Sequence, residues 1–192
     1  MEKRDIINFF DNLAEGWDAE QIPKYDIIKK ILDNGGVEEG KDVLDIACGT
    51  GTLFPFYRER NVRSVTGVDI SPKMVKIAKS KFPETEIICG DAEGYNFGKK
   101  FDIIMIYNAF PHFPNPERLI KNLSEYLKEN CRFTIAHSMS RAEIISRHQK
   151  RATKVSLELP TAEALAEMLK PYFNIDIIIS DDEMYQVSGT KK

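Results

Sequence analysis

Side chains that could do chemistry stand where the predicted strands of this sequence end. Asp69 follows the predicted strand 62–68, and Ser71-Pro72 after it predicts the start of a helix. His112 and His137 follow two later predicted strands. Because the carboxyl ends of parallel strands meet at one edge of a sheet, we expect these groups to line one cleft. An acid there can accept hydrogen bonds from a ribose diol, and an imidazole can accept a proton.

A glycine turn precedes these groups in the chain. The β-forming residues of the run 43–46 predict a strand that ends near Ala47. Small residues at 47, 49 and 51 then allow a sharp turn and a close approach to a ligand. A helix is predicted from about Thr50 to Arg60, and its first N–H groups would face a polar ligand.

The spacing of the small residues excludes two common ligands. A dinucleotide turn requires Gly-x-Gly-x-x-Gly, but Thr52 or Phe54 stands at the last glycine position in the two possible registers. A phosphate-binding P-loop requires Gly-Lys-Ser/Thr, and Gly51-Thr52-Leu53 has no lysine. We therefore expect a ligand without a pyrophosphate.

The chain resembles one family in this region. Asp45-x-Ala47-x-Gly49-x-Gly51, preceded by Val43-Leu44, is similar to motif I of class I S-adenosylmethionine-dependent methyltransferases, in the small single-domain "type 11" kind. The resemblance implies an α/β fold: one Rossmann-like domain, whose seven-stranded, mostly parallel sheet has the order 3-2-1-4-5-7-6. Strand 7 is antiparallel, and helices lie on both faces.

The resemblance also implies which residues hold the cofactor, S-adenosylmethionine. Asp69 stands 18 residues after Gly51, where an acid binds a ribose diol; the alternative is an ordinary turn aspartate. Asp91-Ala92 is similar to the family's adenine site, with a turn-forming Gly-Asp pair as the alternative. The full predicted cofactor set is Asp45, Ala47, Gly49, Gly51, Asp69, Ile70, Asp91, Ala92 and Asn108.

The acceptor of the methyl group should lie beyond the fourth and fifth strands. Phe110 and Phe113 are predicted to pack against it. Arg141 could pair with an acidic acceptor, or could be a solvated residue at a helix start. The family's Asn-Pro-Pro-Tyr motif of N-methylation is broken after Asn108 by Ala109, which argues against amide or base methylation.

Three histidines, at 112, 137 and 148, leave three interpretations open. His112 or His137 could be a general base for a hydroxyl, carbon or protonated amine acceptor. The histidines could together hold a metal or metalloid substrate. They could also be ordinary polar residues beside a pocket. We predict that His112 and His137 are catalytic, and we assign no metal ligand.

Composition limits the function classes. The 192 residues carry 27 Lys and Arg against 30 Asp and Glu, a net charge of −3, which gives no general attraction to nucleic acid or an anionic membrane. No long apolar run suggests a signal or membrane-spanning segment, and three cysteines without metal spacing suit a reducing cytoplasm. We expect a cytoplasmic enzyme with a small-molecule acceptor and no membrane partner; a nucleic acid partner is disfavoured, and the oligomeric state is left open.

Two other functions stay open at this stage. The chain could bind S-adenosylmethionine without catalysis, as a regulator or partner subunit. It could, with less support, methylate RNA, although it has no basic stripe.

The domain organisation is predicted as a single unit, 1–192. It comprises an N-terminal helical arm (1–36), a cofactor-binding core (41–136) and a closing part (137–192). The arm either caps the sheet or folds over the ligand. Predicted strands are 62–68, 86–89, 101–107, 132–136, 175–180 and 184–189, with a polar turn at 129–131.

Overall fold

The computed structural model describes residues 1–20 and 22–192. Its strands are β1 Asp42–Ile46, β2 Ser64–Asp69, β3 Glu86–Cys89, β4 Phe101–Tyr107, β5 Leu127–His137, β6 Phe173–Ser180 and β7 Tyr185–Lys191. Its α-helices are α1 Lys3–Leu13, α2 Trp17–Glu20, α3 Tyr25–Asn34, α4 Phe54–Glu59, α5 Pro72–Lys81, α6 Pro116–Glu125, α7 Arg141–Arg151 and α8 Ala162–Leu169.

All seven strands form one sheet, in the order β3-β2-β1-β4-β5-β7-β6. Strands β1 to β5 pair in parallel, whereas β7 runs antiparallel to both of its neighbours. This arrangement confirms the predicted fold. The chain changes direction across the sheet at β1, which lies between β2 and β4, and an open α/β sheet binds its ligands at such a point.

The sheet is buried on both faces, which explains why β4 is apolar along nearly its whole length. Ile104 belongs to the same buried cluster as Leu123 of α6, on one face. Met105, the next residue, belongs to the cluster of Ile31 in α3, on the other face. Among the described residues, no helix combines the length and the apolar composition that crossing a membrane requires.

Side-chain caps start two of the helices that flank the cleft. The Ser71 hydroxyl accepts a hydrogen bond from the Met74 N–H at 3.2 Å, and the Ser140 hydroxyl accepts one from the Glu143 N–H at 3.2 Å. The cap at Ser71 confirms the helix start that the sequence predicts there. Asn115 differs, since its side chain makes no cap and its N–H donates to Glu93 at 2.8 Å.

The helix after β1 begins later than predicted. It starts at Phe54 instead of near Thr50, so the turn occupies the whole run from 47 to 53. Ala47, Gly49 and Gly51 have positive φ angles of 55°, 56° and 87°, which no right-handed helix contains. The prediction was wrong because the backbone needs three left-handed residues to reverse beneath the cleft.

The segment 129–131 lies inside β5, where a polar turn was predicted. The pairing of β4 with β5 shifts between Phe101, opposite Leu127, and Ile103, opposite Arg132. Asn130, with a φ of 58°, lies in this irregular stretch. The polar residues 129–131 therefore form a local irregularity within β5, and the strand continues to His137.

Gly51→Ala should destabilise the protein for two reasons. A Cβ at this position would lie 2.7 Å from a ring carbon of Phe82 and 2.9 Å from one of Phe54, and the φ of +87° is unfavourable for alanine. We expect a loss of about 1–3 kcal/mol in the free energy of unfolding, measured by urea denaturation.

Gly98→Ala is the matched control, because Gly98 has a φ of +66° but no atom within 4 Å of the added Cβ. It should lose only the cost of left-handed backbone, about 1 kcal/mol. Equal losses in the two variants would show that the rings of Phe54 and Phe82 do not constrain the turn.

Candidate active site

A cleft of about 970 Å³ opens at the carboxyl ends of β1 to β5. Its walls come from both halves of the sheet, from α1 on one side and from α7 on the other. Most of the predicted site residues line it together: Asp45, Ala47, Gly49, Asp69, Ile70, Asp91, Ala92, Asn108, His112, Phe113 and His137. The structure therefore brings together residues from across nearly a hundred positions of sequence.

Asp69 is fixed at the centre of the β1–β3 half by two backbone groups. One carboxylate oxygen accepts from the Gly49 N–H at 2.8 Å, and the other accepts from the Ser71 N–H at 2.8 Å. The residue is 8% exposed. Each oxygen retains further acceptor capacity, so the carboxylate can also accept hydrogen bonds from a ligand in the cleft.

Burial opposes the negative charges in this half. Burial, together with the nearby charge of Asp69, raises the pKa of Asp45 to about 8. Burial also raises the pKa of Asp69, although the backbone N–H groups of Ser71 and Gly49 oppose the shift. A ligand that donates hydrogen bonds or carries positive charge would therefore relieve an electrostatic cost in the cleft.

Asp91 lies directly after β3 and is held by two neighbours. One of its oxygens accepts from the Glu93 N–H at 3.1 Å, and Lys3 of α1 forms an ion pair with the other. Lys3 also lies 2.7 Å from the buried Glu93 carboxylate. The helix α1 is thereby tied to the part of the cleft that the resemblance assigns to adenine.

Asn108 connects the ends of β4 and β5. Its φ is 55°, its N–H donates to the Ala136 carbonyl at 2.9 Å, and its side-chain oxygen accepts from the Ser138 N–H at 3.0 Å. Asn is among the residues that tolerate this left-handed conformation. Asn108 lines the cleft and also fixes the distance between the two strand ends.

His112 is oriented by a backbone carbonyl. Its Nδ1 lies 2.8 Å from the oxygen of Val155, and a carbonyl only accepts, so Nδ1 carries the proton. Nε2 is then the acceptor atom. Burial lowers the pKa of His112 to about 4, which leaves the ring neutral at pH 7. The ring lies 4.9 Å from that of Phe10 and 4.9 Å from that of His148, measured between centroids.

His137 is a deeply buried polar residue in the cleft lining, at the end of β5. It is 1% exposed, and its Nε2 has no hydrogen-bond partner within the described structure. Burial lowers its pKa to about 3. A buried nitrogen without a partner at the wall of a cleft is where a ligand group can bind.

The histidines do not form a metal site in the structure. Among residues 1–20 and 22–192, no group of three or more His, Cys, Asp and Glu side chains is arranged to hold a metal ion.

Three predicted site residues lie outside the cleft lining. Gly51 is set back in the turn against Phe54 and Phe82. Phe110 is 3% exposed and belongs to the buried core, so it packs under the cleft instead of into it. Arg141 does not line the cleft. Its guanidinium donates hydrogen bonds to the Leu159 and Pro160 carbonyls and pairs with Glu158.

The N-terminal arm, here α1 and α2, lies over the cleft, while α3 covers the sheet. Besides the Lys3 contact, Asp11 accepts from the Ser71 hydroxyl at 2.5 Å. Asp18 accepts from the Thr50 hydroxyl at 2.6 Å. The helices α1 and α2 thus contact the segments that follow β1, β2 and β3. Of the two positions considered for the N-terminal helices, α1 and α2 lie over the cleft, and α3 lies against the sheet.

The sequence reasoning missed the lining residues of α7 other than His148. Arg147, Lys150 and Arg151 border the cleft together with Ile144. The spacing of 144, 147, 148 and 151 follows one helical face, and this signal could have identified them.

A family model described as "Methyltransferase domain" matches residues 43–130. The demethylmenaquinone methyltransferase of Thermotoga maritima is 28% identical over 148 residues, which cover 69% of this chain and 61% of the relative. Over residues 43–130 the chain is therefore similar in sequence to methyltransferases, and its fold is shared by solved methyltransferases. At the level of the family, these matches confirm the predicted resemblance to class I S-adenosylmethionine-dependent methyltransferases, with their enzyme class and their cofactor.

Solved methyltransferases share the fold. A chain of the complex between the Haloferax volcanii Trm112 methyltransferase activator and a methyltransferase superposes with a TM-score of 0.80 at 17% identity, covering 99% of this chain and 97% of that one. The N-methyltransferase NodS from Bradyrhizobium japonicum, in complex with S-adenosylhomocysteine, gives 0.74 at 12% identity, covering 100% and 99%. These likenesses show the fold alone.

This chain spans 56% to 61% of the length of the first curated methyltransferases it matches.

His137→Gln should change how stability depends on pH. The pKa of His137 in the folded protein, about 3, lies below the usual 6.5. Below pH 6.5 the unfolded chain therefore binds a proton at this histidine that the folded protein does not, so the free energy of unfolding falls as the pH falls. Above pH 6.5 this loss is absent. Between pH 7 and pH 5 the native protein should lose about 2 kcal/mol more than the variant in the free energy of unfolding.

Urea denaturation at the two pH values measures this difference. His148→Gln is the control, since His148 is only half-buried and its variant should change the pH dependence less. Identical pH dependence in the native protein and in His137→Gln would contradict the burial of a neutral His137.

Proposed function

We propose that this protein transfers a methyl group from S-adenosylmethionine to a small-molecule acceptor. The observation that carries the proposal is the convergence in one cleft of a left-handed glycine turn and three carboxylates, each at or just after the carboxyl end of β1, β2 or β3. The β4–β5 half of the same cleft presents aromatic rings and neutral imidazoles. The two halves suit a cofactor and an acceptor, respectively.

The residues present fit the cofactor. Asp69, held by two N–H groups, would accept from the ribose hydroxyls. The turn at Gly49 leaves room beside it, because a Cβ there would have only one neighbour within 4 Å, at 3.9 Å. Asp91 and Ala92 line the part of the cleft next to β3 and would contact the adenine.

The cleft favours a small acceptor because two helices close it. Ile6 of α1 belongs to the same buried cluster as Ala152 and Val155, which follow α7. Phe9 and Phe10 face the space between them. A folded RNA would have to separate α1 from the segment after α7, which is a cost that a small molecule avoids.

When bound, S-adenosylmethionine supplies an electrophilic methyl group, which the acceptor atom takes while the carbon–sulfur bond breaks and sulfur keeps the electron pair. The chain contributes mainly position, since displacement at a methyl carbon needs close, in-line reactants. A hydroxyl acceptor must also lose its proton, and His112 Nε2 is the acceptor atom that the Val155 carbonyl leaves free.

We also propose a cytoplasmic location. Cys48, Cys89 and Cys131 are free thiols, as is usual for proteins in a reducing compartment.

Asp69→Asn should weaken cofactor binding. Asparagine keeps the shape of the side chain but can accept at only one of its two terminal atoms, so one of the two N–H groups or the ligand loses its partner. We expect an at least tenfold rise in the Kd for S-adenosylhomocysteine, measured by calorimetric titration.

Asp182→Asn, on the exposed β6–β7 turn, is the control and should bind like the native protein. Circular dichroism and thermal unfolding would check that both variants fold. Failure of the folded native protein to bind either S-adenosylmethionine or S-adenosylhomocysteine would overturn the proposed function. Binding without methylation of any acceptor would instead support a regulatory or partner-subunit role.

His112→Gln should slow methylation of phenolic acceptors. The amide can replace the hydrogen bond to Val155 but cannot take up a proton, so we expect kcat to fall by about 10²–10⁴ with little change in the Kd of the cofactor. Release of S-adenosylhomocysteine measures the rate. An unchanged kcat would remove His112 as the base.

A further inference from the structure

We propose that the acceptor is an organic anion, a carboxylate or phosphate attached to an apolar body, and that α7 binds its charged group. The inference deepens the proposed function and rests on it. It combines the cations that α7 brings to the cleft, two of which form no ion pair among the described residues, and an unpartnered buried nitrogen, His137 Nε2, in the lining of the same cleft.

One face of α7 is turned toward the cleft. Ile144 is 1% exposed and lines the cleft, and residues 147, 148 and 151 follow it at intervals of three, four and seven. These intervals place all four side chains on one side of a helix. Arg147 and Arg151 therefore stand on the same side as the buried Ile144.

Two of the three cations that α7 brings to the cleft form no ion pair within the part of the chain that the structure describes. Arg147 pairs with Glu143, one turn earlier on the helix, at 2.7 Å. Lys150 and Arg151 also line the cleft, and neither forms an ion pair with a carboxylate of the described residues. Arginine binds carboxylate and phosphate through paired N–H donors, so an anion is the ligand that this face can recognise most specifically.

The carboxylates of the cleft lie mostly elsewhere. Three of the four acidic side chains that line it, Asp45, Asp69 and Asp91, belong to the β1–β3 half. The fourth is Glu20, at the end of α2. Lys3, the remaining cation of the lining, is already paired with Asp91 and Glu93. The cations of the lining that form no ion pair among the described residues, Lys150 and Arg151, thus both lie on α7.

The imidazole of His137, in the same half of the cleft, requires a hydrogen-bonding partner instead of an anion. His137 Nε2 is buried without a hydrogen-bond partner. The lining that contains His137 and the α7 cations also includes apolar side chains, among them Phe113, Met139 and Ile144. An acceptor that satisfies all of these groups has a polar group for His137, an apolar body, and an anion that reaches α7. A neutral or cationic acceptor would leave the cations of α7 unpaired or repelled.

The test compares two probes that differ in charge but hardly in shape. The full-length protein, saturated with S-adenosylhomocysteine, is titrated by calorimetry with 4-hydroxybenzoate and with the neutral 4-hydroxybenzamide at pH 7.5. Phenyl phosphate separates a preference for phosphate from one for carboxylate. We expect at least one anion to bind ten times more tightly than the amide, with an affinity that falls as salt is added.

Variants locate the effect on α7. Arg151→Gln should remove most of the preference for the anions while leaving the affinity for the amide unchanged. Lys154→Gln is the matched control, since it removes the same charge from an exposed residue three positions later that does not line the cleft. It should keep the full preference.

Three results would overturn the inference: equal affinity for acids and amide, no binding of any probe, or equal effects of Arg151→Gln and Lys154→Gln. The cofactor titration keeps the two proposals apart. If S-adenosylhomocysteine binds and the anions are not preferred, only the inference about the acceptor fails. If S-adenosylhomocysteine does not bind, the proposed function fails, and anion binding by the protein alone still reports on α7.

Discussion

The carboxylate of Asp69 is the interaction on which the site depends. It accepts the Gly49 N–H from the glycine turn and the Ser71 N–H from the start of α5, both at 2.8 Å. Ser71 in turn caps α5 and donates its hydroxyl to Asp11 of α1. One buried acid thus connects the turn, the end of β2, a helix start and the arm. Its desolvation is tolerated because two N–H groups stabilise the charged form.

The sheet order divides the cleft chemically. Strands β1 to β3 bring carboxylates to one half, while β4, β5 and α7 bring imidazoles, aromatic rings and cations to the other. This division follows from topology, because the chain returns to the opposite side of β1 when it enters β4. A cofactor half and an acceptor half can therefore differ in charge within one cavity.

Most of the strands and their order could be predicted because their signals are local. The boundaries of β3 and β4 match the prediction, since an apolar run bounded by turn residues marks each of them. The late start of α4 depends on three left-handed residues, a property of the closed turn. The outward rotation of Arg141 depends on carbonyls at 159 and 160, which only the tertiary structure brings near.

Two imidazoles are buried in the β4–β5 half of the cleft. Burial, together with the positive charge that His148 carries when protonated, lowers the pKa values of His112 and His137 to about 4 and about 3. Both rings are therefore neutral at pH 7, and each has an acceptor or donor nitrogen to offer without adding charge. The fixed positive charge of this half is then confined to α7, so an anion bound there would leave the imidazoles free for the uncharged end of the acceptor.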